Sequence, residues 1–219
     1  MSNKYWGEYD SSIIFCEDKY VESEYIAEYW NTISGLSYIL VGMYFTRTMV
    51  RNIGLSLVLM GVGTMVLHGT LRWYGQWMDE MGMLTLMFFY IKGIYYDLSY
   101  KLLYIILSTY VMYNENHTIF LLMFISLLVY QYNVVNKITI SRRGQGYKKN
   151  YFRSMCLGGI CWILDRLCMT KKYNFHMYWH ILTALGALFG TLYYYEHNMM
   201  LQDRGRKIKD WYLKIKKCK

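Results

Sequence analysis

Two histidines four residues apart, His176 and His180, open one apolar stretch, and His68 lies in another. That spacing puts both imidazoles on one face of a helix. A charged side chain at the centre of a bilayer costs roughly 2.5 kcal/mol or more, so ionisable groups in such stretches face a site rather than lipid. Asp79 follows His68 by eleven residues. Three imidazoles, a carboxylate and a water fit a hydrolytic zinc centre, in which three protein nitrogens hold the ion and one position stays open. There the ion activates water and polarises a carbonyl, and the carboxylate moves a proton. Zinc is chosen over iron or cobalt on abundance, because imidazole suits several metals. Each residue alone has a plainer reading: His68 as a helix–helix hydrogen bond, His176 and His180 as an interfacial pair, Asp79 and Glu80 as charges at a helix N-terminus.

Helices of membrane length must position these groups. Of 219 residues, 55% are hydrophobic. About 20 apolar residues cross a bilayer core. Seven apolar windows recur, at 27–45, 53–73, 79–96, 99–113, 118–135, 151–167 and 176–195. The fourth is short, and a six-span alternative would put both termini on one side. The chain has no proline, so the spans need no kinks and no Pro-rich linker divides them. The expected fold is all-α: one polytopic domain of seven transmembrane helices around an intramembrane zinc site. It occupies 27–197, between an acidic segment at 1–26 and a basic tail at 198–219. A polar, acidic segment follows Met1, so the first span is expected to act as its own insertion signal.

Charge sets the orientation. Residues 1–30 carry seven acids (Glu8, Asp10, Glu17, Asp18, Glu22, Glu24, Glu28) against Lys4 and Lys19. The 137–153 stretch carries six bases and no acid, and 202–219 carries eight bases and two acids. Lys/Arg excess marks the cytosolic side, so the N-terminus is luminal or extracellular and the C-terminus cytosolic. Lys171 and Lys172 oppose this but are outnumbered. On this topology His68, Asp79, His176 and His180 share one depth, in the outer half of the membrane. Lys+Arg exceed Asp+Glu by 24 to 15. A basic tail beside a span points to the lipid surface rather than nucleic acid. Cys16 and Cys168 fall on the outer, oxidising side, where a disulfide can persist. Cys156 and Cys161 read as core thiols, and Cys218 as a free tail thiol, with palmitoylation the alternative.

Several motifs together resemble the alkaline ceramidase family. They are Tyr5-Trp6-Gly7, Phe15-Cys16-Glu17-Asp18-Lys19-Tyr20, Tyr25-Ile26-Ala27-Glu28-Tyr29-Trp30-Asn31-Thr32, Thr64-x-x-x-His68 with Asp79-Glu80, Trp162-Ile163-Leu164-Asp165-Arg166-Leu167-Cys168, and His176-x-x-Trp179-His180. The layout is similar to that of the wider superfamily that includes adiponectin- and progestin-type receptors. The resemblance implies a zinc amidase that cleaves the N-acyl bond of ceramide, with His68, His176 and His180 as ligands, Asp79 and Thr64 as catalytic groups, and a Cys16–Cys168 disulfide. It implies an endoplasmic reticulum or Golgi membrane, ceramide and the bilayer as partners, no nucleic acid and no obligate protein partner. A lipid-sensing receptor and a catalytically weakened ceramide-binding homologue are the alternatives.

The chain departs from the family twice. Thr64 stands where the family has serine. It keeps the hydroxyl, which lies one turn from His68 and is expected to donate to an oxyanion, and adds a methyl that stiffens the rotamer. Family members also hold calcium near the N-terminus, at positions that here read Ile14, Phe15, Glu17, Lys19 and Glu28. Calcium takes six to eight oxygens. Ile14 and Lys19 offer no side-chain oxygen, so the site is expected to be lost. Lys19 is expected to stand in the cation's place, paired with Glu17 and Glu28, making activity calcium-independent. The plainer reading is a drifted loop with Lys19 in water.

Overall fold

The computed structural model describes residues 4–95, 97–113, 116–168 and 173–217, without the side chains of 208 and 210–217. Lys171, Lys172 and Cys218 lie outside the described residues. Among those described, every regular element is a helix: α1 (Tyr29–Ser34), α2 (Leu36–Phe45), α3 (Arg51–Thr70), α4 (Trp73–Lys92), α5 (Tyr100–Met112), α6 (His117–Asn136), α7 (Arg142–Arg166) and α8 (Phe175–Lys217). Short polar side chains start several of them. Ser99 accepts a hydrogen bond from Lys101 N, Asn116 from Thr118 N, and Ser141 from Gly144 N. Each satisfies a backbone donor that the first helical turn leaves free.

Among the described residues two helices, α3 and α6, are long and apolar enough to cross a membrane. α5 is apolar, but its 13 residues are too few for a full crossing. The expected first span divides into α1 and α2 at Gly35. α8 has 43 residues, so the tail expected at 198–219 continues the last helix through 217. The basic 137–153 stretch is helical from Arg142. Leu40, Tyr104, Met112, Leu122, Ile125 and Leu157 project outward from the helices and are exposed. Such a broad apolar exterior suits hydrocarbon better than water.

α3 and α4 form the hairpin that builds half of the site. The expected boundary at 73–79 is displaced, because the chain reverses at Leu71, whose φ is 54°. Neither Gly nor Pro marks this turn. It is held instead by distant residues: Asp10 N and Ser11 N donate to Leu71 O, and Arg72 pairs with Asp10 at 2.9 Å. Asp79 therefore lies within α4 rather than at its start, level with Thr64 across the hairpin. Glycine sets the approach of the two helices. A Cβ on Gly63 would meet Asp79 N at 2.5 Å, and one on Gly75 would meet Leu67 N and Cα at 2.6 Å. Backbone cannot yield as a side-chain tip does. Gly63→Ala is expected to destabilise the fold by about 1–3 kcal/mol through overpacking and to separate Thr64 from Asp79. Unchanged melting and unchanged turnover would dismiss this account of the hairpin.

Candidate metal centre

Three ligand-bearing imidazoles meet where two helices converge. His68 sits near the end of α3, and His176 and His180 on the first turns of α8. Their potential ligand atoms all lie within 4.8 Å of one another, and all three residues are buried. This is the one such cluster of His, Cys, Asp and Glu among the described residues.

Each ring is prepared differently. His68 Nδ1 lies 2.6 Å from Glu28 Oε2, and Glu28 N donates to His68 O at 2.9 Å. A carboxylate accepts, so Nδ1 carries the hydrogen. That leaves Nε2, which is buried without a hydrogen-bond partner. His180 Nδ1 lies 2.7 Å from Ser34 Oγ, which already donates to Asn31 O at 2.8 Å. The serine therefore accepts, and His180 also keeps its hydrogen on Nδ1. His176 Nδ1 is buried with no partner. Metal-binding imidazoles characteristically donate their second nitrogen to a carboxylate or another oxygen. Orphaned, water-excluded nitrogens are otherwise costly. The donor set fits a zinc ion.

Thr64 and Asp79 are brought together as well. Thr64 Oγ1 lies 2.5 Å from Asp79 Oδ1 and 2.9 Å from Met60 O. The hydroxyl expected to face an oxyanion is therefore engaged with the carboxylate. Thr64, Asp79, His176 and His180 line one cavity of about 280 Å³ with largely apolar walls.

The N-terminal segment closes over this centre. The Phe15 ring lies 3.9 Å from that of His176 and 4.7 Å from that of His68, centroid to centroid. Cys16 is bonded to Cys168, and Arg166 donates to Ile14 O at 2.8 Å. Lys19 Nζ reaches Phe15 O at 2.5 Å, Glu17 O at 2.6 Å and Glu28 Oε1 at 2.7 Å. The ammonium thus pairs with Glu28 as expected, but it meets the backbone oxygen of Glu17 rather than its carboxylate. That carboxylate instead accepts from Trp30 N at 2.7 Å and Asn31 N at 2.9 Å, capping α1. Burial pushes the Glu17 carboxyl above its ordinary range, and the two N–H donors oppose the shift. The Ile14 side chain is half exposed and takes no part.

Sequence reasoning missed four participants. Ser34 and Phe15 gave no signal as neighbours of a metal. Glu28 was legible only as a cation ligand, although a buried acid beside an apolar helix invited a partner. His117, at the head of a separate apolar stretch, gave no signal either, and it pairs with Glu80 at 2.8 Å.

Residues 7–217 match a family model described as Ceramidase. Among curated proteins, Alkaline ceramidase 3 of Mus musculus is 27% identical over 227 residues, covering 86% of this chain and 84% of its own length. Alkaline ceramidase of Arabidopsis thaliana is 25% identical over 215 residues, covering 84% and 83% respectively. An alkaline ceramidase of Saccharomyces cerevisiae is 39% identical over 90 residues, covering 37% of this chain and 28% of its own length.

Proposed function

This chain belongs to the ceramidase family, and from that premise we propose that it is a seven-span intramembrane zinc amidase, independent of calcium, that hydrolyses ceramide to sphingosine and a fatty acid. One observation carries the reading: three buried imidazoles cluster together, and two of them, His176 and His180, line a single apolar cavity with the Asp79–Thr64 pair. The substrate class comes from the family and its named relatives. A zinc ion held by His68, His176 and His180 would supply an activated water and a polarised amide carbonyl.

The chain's own groups do the rest. Asp79 takes a proton from the attacking water and delivers it to the leaving amine. Thr64 hydrogen-bonds one Asp79 oxygen and so leaves the other free to carry that proton. Phe15 and the apolar walls exclude bulk water, which strengthens every electrostatic contact inside. A substrate that lives in the bilayer reaches a buried cavity sideways, between helices. The outer-half location of the centre and the luminal N-terminus belong to the same proposal, as does an endoplasmic reticulum or Golgi membrane.

Thr64→Val removes the hydroxyl at nearly constant volume. Turnover is expected to fall by about 100-fold, within the range of a positioned proton-transfer group, while Thr64→Ser keeps most of it. Full activity in Thr64→Val would remove Thr64 from the mechanism. The test of the function itself is sphingosine release from ceramide by purified, zinc-loaded protein. Zinc bound without release would favour the lipid-sensing or weakened-homologue reading.

A further inference from the structure

The mechanism leaves one buried ionisable pair in the cavity unused. Glu80 is 3% exposed and follows Asp79 on α4. His117 is the first residue of α6. His117 Nδ1 lies 2.8 Å from Glu80 Oε1, and Gln76 Nε2 donates to the same oxygen at 2.9 Å. Gln76 is fixed in turn, since its Oε1 accepts from Ser12 N at 2.7 Å. The arrangement is rigid, yet it is incomplete. Glu80 Oε2 and His117 Nε2 are both buried without a well-formed hydrogen bond, and the buried Tyr110 hydroxyl is a nearby donor to the Glu80 carboxylate. Both residues line the same cavity as Asp79, Thr64, His176 and His180.

A pair that only tied α4 to α6 would need no unpartnered polar atoms in residues that line a cavity. Buried polar groups are nearly always satisfied, so two adjacent orphans call for something to fill them. Their chemistry says what. The Glu80 carboxylate accepts at Oε1, so His117 carries a hydrogen on Nδ1, and the neutral imidazole presents a lone pair at Nε2. Both free atoms are acceptors, and they ask for a donor. The surrounding wall is apolar, with Phe120 and Phe124 beside them on α6. A lipid bearing hydroxyl groups next to its amide supplies such donors at one end and hydrocarbon at the other.

We propose that Glu80 and His117 form a subsite that recognises a head-group hydroxyl of the lipid amide, fixing the scissile bond against the metal centre. The inference rests on the hydrolase reading, and its test separates the two. Purified zinc-loaded protein is given ceramide and analogues lacking the C1 or the C3 hydroxyl. Wild type is expected to favour ceramide over one analogue by about 10–100-fold in kcat/KM, because losing a hydroxyl leaves buried acceptors unpaired. In Glu80→Gln, and independently in His117→Phe, that ratio is expected to collapse toward one. Equal losses on all three substrates would overturn the subsite and leave a structural tie between α4 and α6. If wild type cleaves none of them, the hydrolase reading fails by itself, and equilibrium binding of the same lipids decides the subsite. Discrimination erased by Glu80→Gln then supports it, and an unchanged affinity ratio overturns it.

Discussion

His176→Ala is expected to lose both its zinc and its turnover. The loss in activity should exceed ~100-fold, the upper range for partners that only orient a ligand. His176 donates from the first turns of α8 to the point where His68 and His180 converge, and its removal leaves two protein ligands where a catalytic zinc takes three. Ser34→Ala supplies the contrast. Its hydroxyl accepts from His180 Nδ1 at 2.7 Å and would act on a bound zinc only through that ring. Zinc affinity should fall by about 10–100-fold, and excess zinc should restore turnover. Metal content by mass spectrometry, read beside sphingosine release, separates the cases. Stoichiometric zinc in His176→Ala would refute the three-histidine centre.

Lys19→Met should be the most damaging change outside the metal ligands. The ammonium ends a buried chain that runs from Lys19 through Glu28 to His68, with contacts of 2.7 and 2.6 Å. Glu28 has no exposed side chain, so removing the ammonium leaves a buried carboxylate without its fixed counter-charge, held only by the hydrogen bonds from His68 Nδ1 and Asn31 Nδ2 to its other oxygen. Breaking such a pair costs about 3–5 kcal/mol, which lowers the melting temperature by roughly 10 °C for a domain this size. Phe15 O and Glu17 O lose the same donor, so the segment over the cavity should loosen as well. In wild type the cation is covalently built in, and turnover should be unaffected by calcium removal while zinc is buffered. Activity that depends on added calcium would show that Lys19 does not do this work.

Local chemistry and periodicity wrote much of this protein into its sequence. Imidazoles four apart must share a helix face, and apolar windows of membrane length must fold as helices wherever they pack. From these His68, His176, His180 and Asp79 were legible as one group, and the family resemblance added Thr64. The resemblance also supplied the calcium positions, and because an ammonium cannot coordinate calcium the change at Lys19 was then readable from residue type. Tertiary structure decided the partners of each buried polar atom. Glu28 lies 40 residues from His68, and Ser34 lies 146 from His180. No periodicity connects such positions, because a hydrogen bond across helices depends on rotation and depth that only the packed bundle fixes. The turn at Leu71 was hidden for the same reason: a leucine adopts a left-handed backbone there because residues of the N-terminal segment hold it. The pairing of Glu80 with His117 was invisible too, since an acid and an imidazole on separate helices become a site only when both face one cavity.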